Sequence, residues 1–158
     1  MADYIIRRAE VRDLEAVNAL LRQVLRIHHD ARPDLFRPKG KKYSDDELLG
    51  IFRNPETPVF VYEKDGAVFG YAFCAIQHIS SGCLQDITSL YLDDLCVDER
   101  CRGQHIGRTL FEHVREYALS QGCHNITLHA WNGNPAALSF YTSLGLTPQY
   151  TSLELLLH

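Results

Sequence analysis

No apolar run in this chain approaches the ~20 residues a helix needs to cross a bilayer, so a helical membrane span is excluded. The opening residues, Met1-Ala2-Asp3-Tyr4, lack the apolar stretch of a secretory leader. No two of the five cysteines (Cys74, Cys83, Cys96, Cys101, Cys123) are spaced CxxC, and an odd number does not make a disulfide framework. Reduced thiols used in packing are expected, which fits the cytoplasm. A surplus of positive charge is also missing. At a formal net charge of -4 the chain lacks the basic face that nucleic acid requires. His28, His29, His105 and His113 show no ligand spacing with a carboxylate or cysteine cluster, so no metal is expected. Internal repeats and low-complexity tracts are absent.

What remains is an ordinary core-forming composition. With 46% apolar residues in 158, one domain over 1–158 is expected. Tyr4 to Arg8 reads as a strand. Leu14, Val17, Leu20, Leu21, Val24, Leu25 and His28 recur at helical spacing from Arg12 to about His28. Asp30 to Tyr43, with Pro33, Pro38 and Gly40, is a loop long enough to wall a site. Ser44-Asp45-Asp46-Glu47 is a capping box opening a short helix that ends near Asn54-Pro55. Val59 to Glu63 and Val68 to Ile79 flank a hairpin turn at Asp65-Gly66, and a third strand spans Ile87 to Val97 across a turn at Gln77 to Asp86. A helix from about Gln104 to Ser120 stops at Gly122. Then come a strand over Asn125 to Trp131, a helix opened by Asn134, and a last strand over Gln149 to Leu157. The order βααβββαβαβ predicts an α/β domain with a mixed sheet.

The most informative segment joins the Ile87–Val97 strand to the following helix: Asp98-Glu99-Arg100-Cys101-Arg102-Gly103-Gln104-His105-Ile106-Gly107. A glycine-bearing turn at a helix start leaves backbone N–H groups unpaired and adds the positive end of the helix dipole. Arg100, Arg102 and Arg108 add full charges. Such a turn suits a pyrophosphate. Its spacing, RxxGxxxG, matches neither GxGxxG nor GxxxxGK[ST].

The same segment resembles the acyl-CoA pyrophosphate loop, [Q/R]xxGxG[A/G], of the GNAT superfamily of acetyl-CoA-dependent N-acetyltransferases. Arg100 and Gly103 match; His105 stands where the family usually has a glycine, and Gly107 follows. A Cβ at His105 narrows the approach to phosphate, but with helical, negative φ a histidine is expected to fit. Asn134-Pro135-Ala136-Ala137-Leu138-Ser139-Phe140-Tyr141-Thr142-Ser143-Leu144-Gly145-Leu146 is similar to the family's other hallmark, NxxAxxFYxxxGF. It is locally consistent as a helix with Asn134 as N-cap, Pro135 at N1 and Gly145 at C′.

The resemblance implies a single-domain acyl-CoA N-acyltransferase fold: a splayed mixed sheet of roughly six to seven strands flanked by about four helices, with pantetheine inserted between two diverging parallel strands. It implies acetyl-CoA as co-substrate and no metal. Backbone groups of Leu95, Cys96 and Val97 would hold pantetheine, and a Leu95 or Cys96 amide would polarise the thioester carbonyl. Arg102, Gly103, Gln104, His105, Ile106, Gly107 and Arg108 would bind the diphosphate, and Asn134 the pantetheine arm. Tyr141 would protonate the departing thiolate.

The base is left open. Tyr-Leu-Asp-Asp-Leu at 91–95 resembles the acidic pair of the superfamily's polyamine acetyltransferases. Adjacent strand residues face opposite sides, which predicts that Asp93 shares the face of Leu95 and Val97 and serves as base or ammonium anchor, with Asp94 structural. Against this stands a role for both in satisfying loop amides or surface arginines. His129 is the second candidate base, against the commoner role of a hydrogen-bonded half-buried histidine. Cys96 as a nucleophile has no paired histidine in sequence. His28 and Phe36, with His29, Arg32 and Tyr43, sit where relatives build the acceptor pocket. The reaction implied is acetyl transfer to a primary amine of a small molecule, cationic or polyamine-like, or of a peptide, by direct attack. The alternative is a CoA-binding regulatory module without useful catalysis. The apolar end Leu153, Leu155, Leu156, Leu157 suggests pairing across a homodimer.

Overall fold

The computed structural model describes residues 3–158; Met1 and Ala2, part of the stretch read for a leader, lie outside the described residues. Five strands form one sheet in chain order: β1 (Tyr4–Arg8), β2 (Val59–Lys64), β3 (Ala67–Ser81), β4 (Leu84–Val97) and β5 (Asn125–Thr127). The first four are antiparallel neighbours, and β5 joins β4 in parallel, so the sheet is mixed as expected. Helices α1 (Leu14–Ala31) and α2 (Asp45–Arg53) lie on one face, and α3 (Ile106–Ser120) packs on the other, near α4 (Pro135–Ser143). No helix among the described residues is long and apolar enough to cross a membrane.

Each face has its own core. Val17, Leu20 and Leu48 meet Val59, Val61, Tyr71, Phe73 and Cys96 on the α1/α2 side. Leu110, Phe111 and Val114 of α3 meet Phe60, Ala72, Leu90 and Leu92 on the other. Each such fully buried large side chain contributes about 1.5–3 kcal/mol. Local chemistry sets the boundaries. Ser44 and Glu47 cap α2 reciprocally, and Asn134 Oδ1 accepts from Ala137 N at 3.2 Å to start α4. Asp65 (φ +52) and Gly66 (φ +77) supply the left-handed pair that a two-residue hairpin needs.

Three boundaries differ from the sequence pattern. The β3–β4 hairpin continues to Ser81 and Leu84 as a two-stranded ribbon, so Gln77 to Asp86 is not an open turn. β5 pairs over only three residues, and Leu128 to Trp131 leave the sheet. Gln149 to Leu157 forms no strand and reduces the sheet to five: its alternating pattern is strand-like, but no strand lies beside it to complete a ladder.

Strand β4 also carries a bulge. Phe73 pairs with Asp94 but Cys74 pairs with Leu92, leaving Asp93 as an extra residue in β4. Leu92 and Cys96, four apart, would share a face in a regular strand; they lie in opposite cores.

Candidate active site

The bulge corrects the face assigned to Asp93. Leu95 and Val97 pack toward the α3 side. Asp93 instead meets the α1–α2 loop, where its Oδ2 accepts from Lys42 Nζ at 3.0 Å and Tyr43 Oη at 3.3 Å. Asp94 accepts from the hydroxyl of Tyr71, a fully buried residue of the α1/α2 core. Two adjacent carboxylates therefore point to the same side, which a period-of-two reading forbids. Their environments differ. Asp93 is 28% exposed at its side chain. Burial pushes the Asp94 carboxyl up to about 6, the charge of Asp93 adds to this, and the Tyr71 hydroxyl and Lys42 ammonium oppose it.

Beside this pair the sheet opens. Parallel pairing of β4 with β5 ends at Tyr91 and Thr127, so the β4 edge from Leu92 to Val97, including Leu95 and Cys96, has no strand beside it. Tyr141 of α4 packs against the core on the α3 side of the sheet. Burial, and then the Asp94 charge, raise its phenol well above the usual value and keep it protonated. Cys96 itself is buried, with its Sγ directed at Leu20 O at 3.7 Å. Desolvation pushes its thiol up to about 12, so it is no thiolate nucleophile.

At the end of β4 the chain turns through a 3-10 segment, Glu99–Cys101. Buried Asp98 accepts from Arg100 N at 3.0 Å and pairs with the Arg100 guanidinium at 2.8 Å, and this contact draws its carboxyl down to about 2. Arg100 is thus spent on bracing the turn. Arg102 and Arg108 have no ion-pair partner among the described residues. Gly103 (φ +84) and His105 (φ +63) are both left-handed, so His105 is not at negative φ as expected and takes the conformation a glycine would. Unlike α2 and α4, α3 has no side-chain cap; the N–H groups of Ile106, Gly107 and Arg108 face outward from an uncapped helix start. Gly107 lets α4 approach: a Cβ there would stand 3.2 Å from Phe140 Cζ.

The expected acceptor residues do meet. His28 stacks on Phe36 at 4.9 Å between centroids, and Phe36 meets Trp131 edge-on at 5.8 Å. Burial and then the Lys42 charge lower the His28 imidazole. His129 lies past the end of β5, exposed, between the hydroxyls of Tyr91 (3.3 Å) and Tyr150 (3.1 Å). Residues missed by sequence reasoning are Lys42, Tyr71 and Trp131. Trp131, the chain's single tryptophan just ahead of the Asn134 cap, carried a usable signal; the other two had none.

A family model, Acetyltransferase (GNAT) family, matches residues 21–146. The chain belongs to that family. It is 28% identical over 112 residues to an uncharacterized N-acetyltransferase of Methanocaldococcus jannaschii, covering 71% of this chain and 49% of that one. It is 37% identical over 57 residues to the thialysine N-epsilon-acetyltransferase of Bos taurus, covering 36% of this chain and 34% of that one. The matches thus span half or less of these curated relatives. Among solved structures, a mutant of the BH1408 protein from Bacillus halodurans superposes with a TM-score of 0.93 at 31% identity, covering 98% of this chain and 99% of that one. In this GNAT chain, no group of three or more His, Cys, Asp or Glu side chains among the described residues could hold a metal ion.

Proposed function

We propose that this chain transfers the acetyl group of acetyl-CoA to the primary amine of a small cationic molecule by direct attack. The observation that carries the reading is that β4–β5 pairing stops at Tyr91 and Thr127, with Tyr141 packed on the α3 side of the sheet and the Asp93/Asp94 pair facing the α1/α2 side. Pantetheine would lie along the free edge at Leu95, Cys96 and Val97. An amide there would receive the thioester oxygen. The diphosphate would sit on the N–H groups from Gly103 and Gln104 through His105, Ile106, Gly107 and Arg108, with Arg102 as counter-charge. Asn134 uses its carbonyl oxygen in the cap, which leaves its NH₂ to donate to the pantetheine arm.

Asp93 receives the acceptor's ammonium beside the His28–Phe36 wall. The carboxylate pair takes its proton, since a carboxyl at about 6 is matched to proton transfer near neutral pH. The freed amine attacks the carbonyl carbon, and Tyr141 donates to the leaving thiolate. His129, held between two phenols, is the alternative base. The name of the thialysine relative points to a side-chain amine of an amino acid, which agrees with an anionic anchor.

Thiol release from acetyl-CoA across a panel of cationic, neutral and peptide amines tests the reading. Cationic primary amines should react fastest, and Tyr141→Phe should lower kcat by about ten-fold or more. Unchanged thiol release in that variant would remove Tyr141 from the acid role.

A second copy of the chain completes the fold on this reading. Leu153, Leu155 and Leu157 are 88%, 84% and 83% exposed in a strand-patterned tail, while β5 leaves its outer edge open. A groove of about 240 Å³ beside that edge is lined by Leu119, Ile126, Leu144 and Leu146. Each copy thus offers both a strand-patterned tail and an unpaired sheet edge.

A further inference from the structure

The α1–α2 loop carries three lysines, Lys39, Lys41 and Lys42. Lys41 makes a local surface pair with Asp45 at 2.6 Å. Lys42 reaches across to β4, where its ammonium meets Asp93 at 3.0 Å. The same nitrogen lies 5.3 Å from the centroid of the Tyr43 ring, whose hydroxyl shares the Asp93 oxygen. A carboxylate and an aromatic face around an ammonium are how a cationic ligand is bound. Here the chain supplies the cation itself. Asp93 is the extra residue at the β4 bulge, directly beside Asp94, so Lys42 lies at the carboxylate pair on which the proposed function rests.

We propose that Lys42 is an internal acceptor: when acetyl-CoA is bound and no other amine is present, the Lys42 ε-nitrogen is acetylated at Asp93, and the acetylated loop leaves Asp93 open to external cations. The inference rests on Asp93 as the amine anchor. The ammonium gives one proton to Asp93 and its nitrogen attacks the thioester carbon. The N–C bond forms, the C–S bond breaks, and the thiolate takes the Tyr141 proton. The nitrogen's second proton returns to the phenol through water. The products are N-acetyl-lysine, free CoA thiol and one proton, which partly exposed Asp93 passes to solvent. The amide is neutral, so it no longer competes for Asp93, whereas unmodified Lys42 occupies that carboxylate and must be displaced by each incoming amine.

The full chain is incubated with acetyl-CoA alone and its lysines are mapped by mass spectrometry over time. Lys39, Lys41 and Lys64 measure uncatalysed acetylation. Lys42 is expected to react at least ten-fold faster than these, and to fall to their rate in Tyr141→Phe or with a cationic amine added. If Lys42 reacts only at their rate while the same preparation acetylates an added amine, the internal-acceptor proposal is overturned and the reading of Asp93 stands. If neither Lys42 nor any added amine is acetylated, both are overturned. Lys42→Gln, which removes the competing charge, should lower KM for cationic amines at least three-fold and leave KM for acetyl-CoA unchanged. An unaltered amine KM would overturn the competition with external cations.

Discussion

Phe140 lies against the bare Cα of Gly107, at a distance that would leave 3.2 Å between its Cζ and any Cβ placed there. The contact joins the two segments that carry the family's hallmarks: the turn into α3 and the helix bearing Tyr141. Because α4 rests on the start of α3, the Tyr141 phenol and the N–H groups of the turn are fixed relative to one another.

Glycine within a helix ordinarily costs about 1 kcal/mol relative to alanine. Gly50, in α2, has nothing within 4 Å of the point where an alanine methyl would stand, so Gly50→Ala should stabilise by about 0.5–1 kcal/mol. Gly107→Ala should gain nothing, and Gly107→Val should destabilise by about 1–3 kcal/mol as α4 is pushed away. Denaturant titration of the three variants measures this. A stabilised Gly107→Ala would mean that α4 does not bear on that glycine.

His105 adopts φ +63 without a side-chain hydrogen bond to cap α3. Left-handed backbone costs a non-glycine residue about 1–2 kcal/mol. His105→Gly should therefore raise stability by up to about 1 kcal/mol after the entropy of glycine is offset. His105→Val should lower it, since β-branched side chains are worst at positive φ. Melting curves that rank valine above glycine would contradict the assigned backbone.

Asp94 gives a pH signature. Its folded value, about 6, lies above the ordinary aspartate value of 3.8, so its contribution to stability is complete below the unfolded value and is lost as pH rises through 6. Asp94→Asn removes that loss. The variant should gain on the parent by on the order of 2–3 kcal/mol between about pH 4 and pH 7. The rising limb of kcat/KM near pH 6 should also disappear in the variant. Parallel stability curves for the two proteins would place the Asp94 carboxyl in water.

The tail makes a hydrodynamic prediction. Replacing Leu153, Leu155 and Leu157 with serine should convert a dimer to a monomer in light scattering while leaving the melting of the isolated domain nearly unchanged, because these side chains are exposed within one copy. A monomeric parent protein would contradict the proposed pairing.

Much of the fold was legible in sequence because it is local. Ser44-Asp45-Asp46-Glu47, Asp65-Gly66, and Asn134 with Pro135 and Gly145 each specify their own turn or cap, and the helical spacing from Leu14 to His28 produced α1. What was not legible depends on partners distant in the chain. The bulge at Asp93 is a mismatch of register against Phe73 and Cys74, and no period within β4 reveals it. The tail has a strand's alternation, but a strand exists only beside another. Lys42 looks like one of three loop lysines until the fold brings it to a carboxylate 51 residues away. The negative φ expected at His105 failed because the residue lies one position before the helix, at the cap, where the chain is still turning.

On the proposed reading, the turn after Val97 and the free edge of β4 together hold CoA, and an amide-resolved NMR titration with CoA is the decisive experiment. The largest shifts are expected at Gly103 through Arg108 and at Leu95 to Val97, with smaller ones around Asn134 and Tyr141. Shifts concentrated elsewhere, with those amides unmoved at saturation, would show that CoA binds at another place.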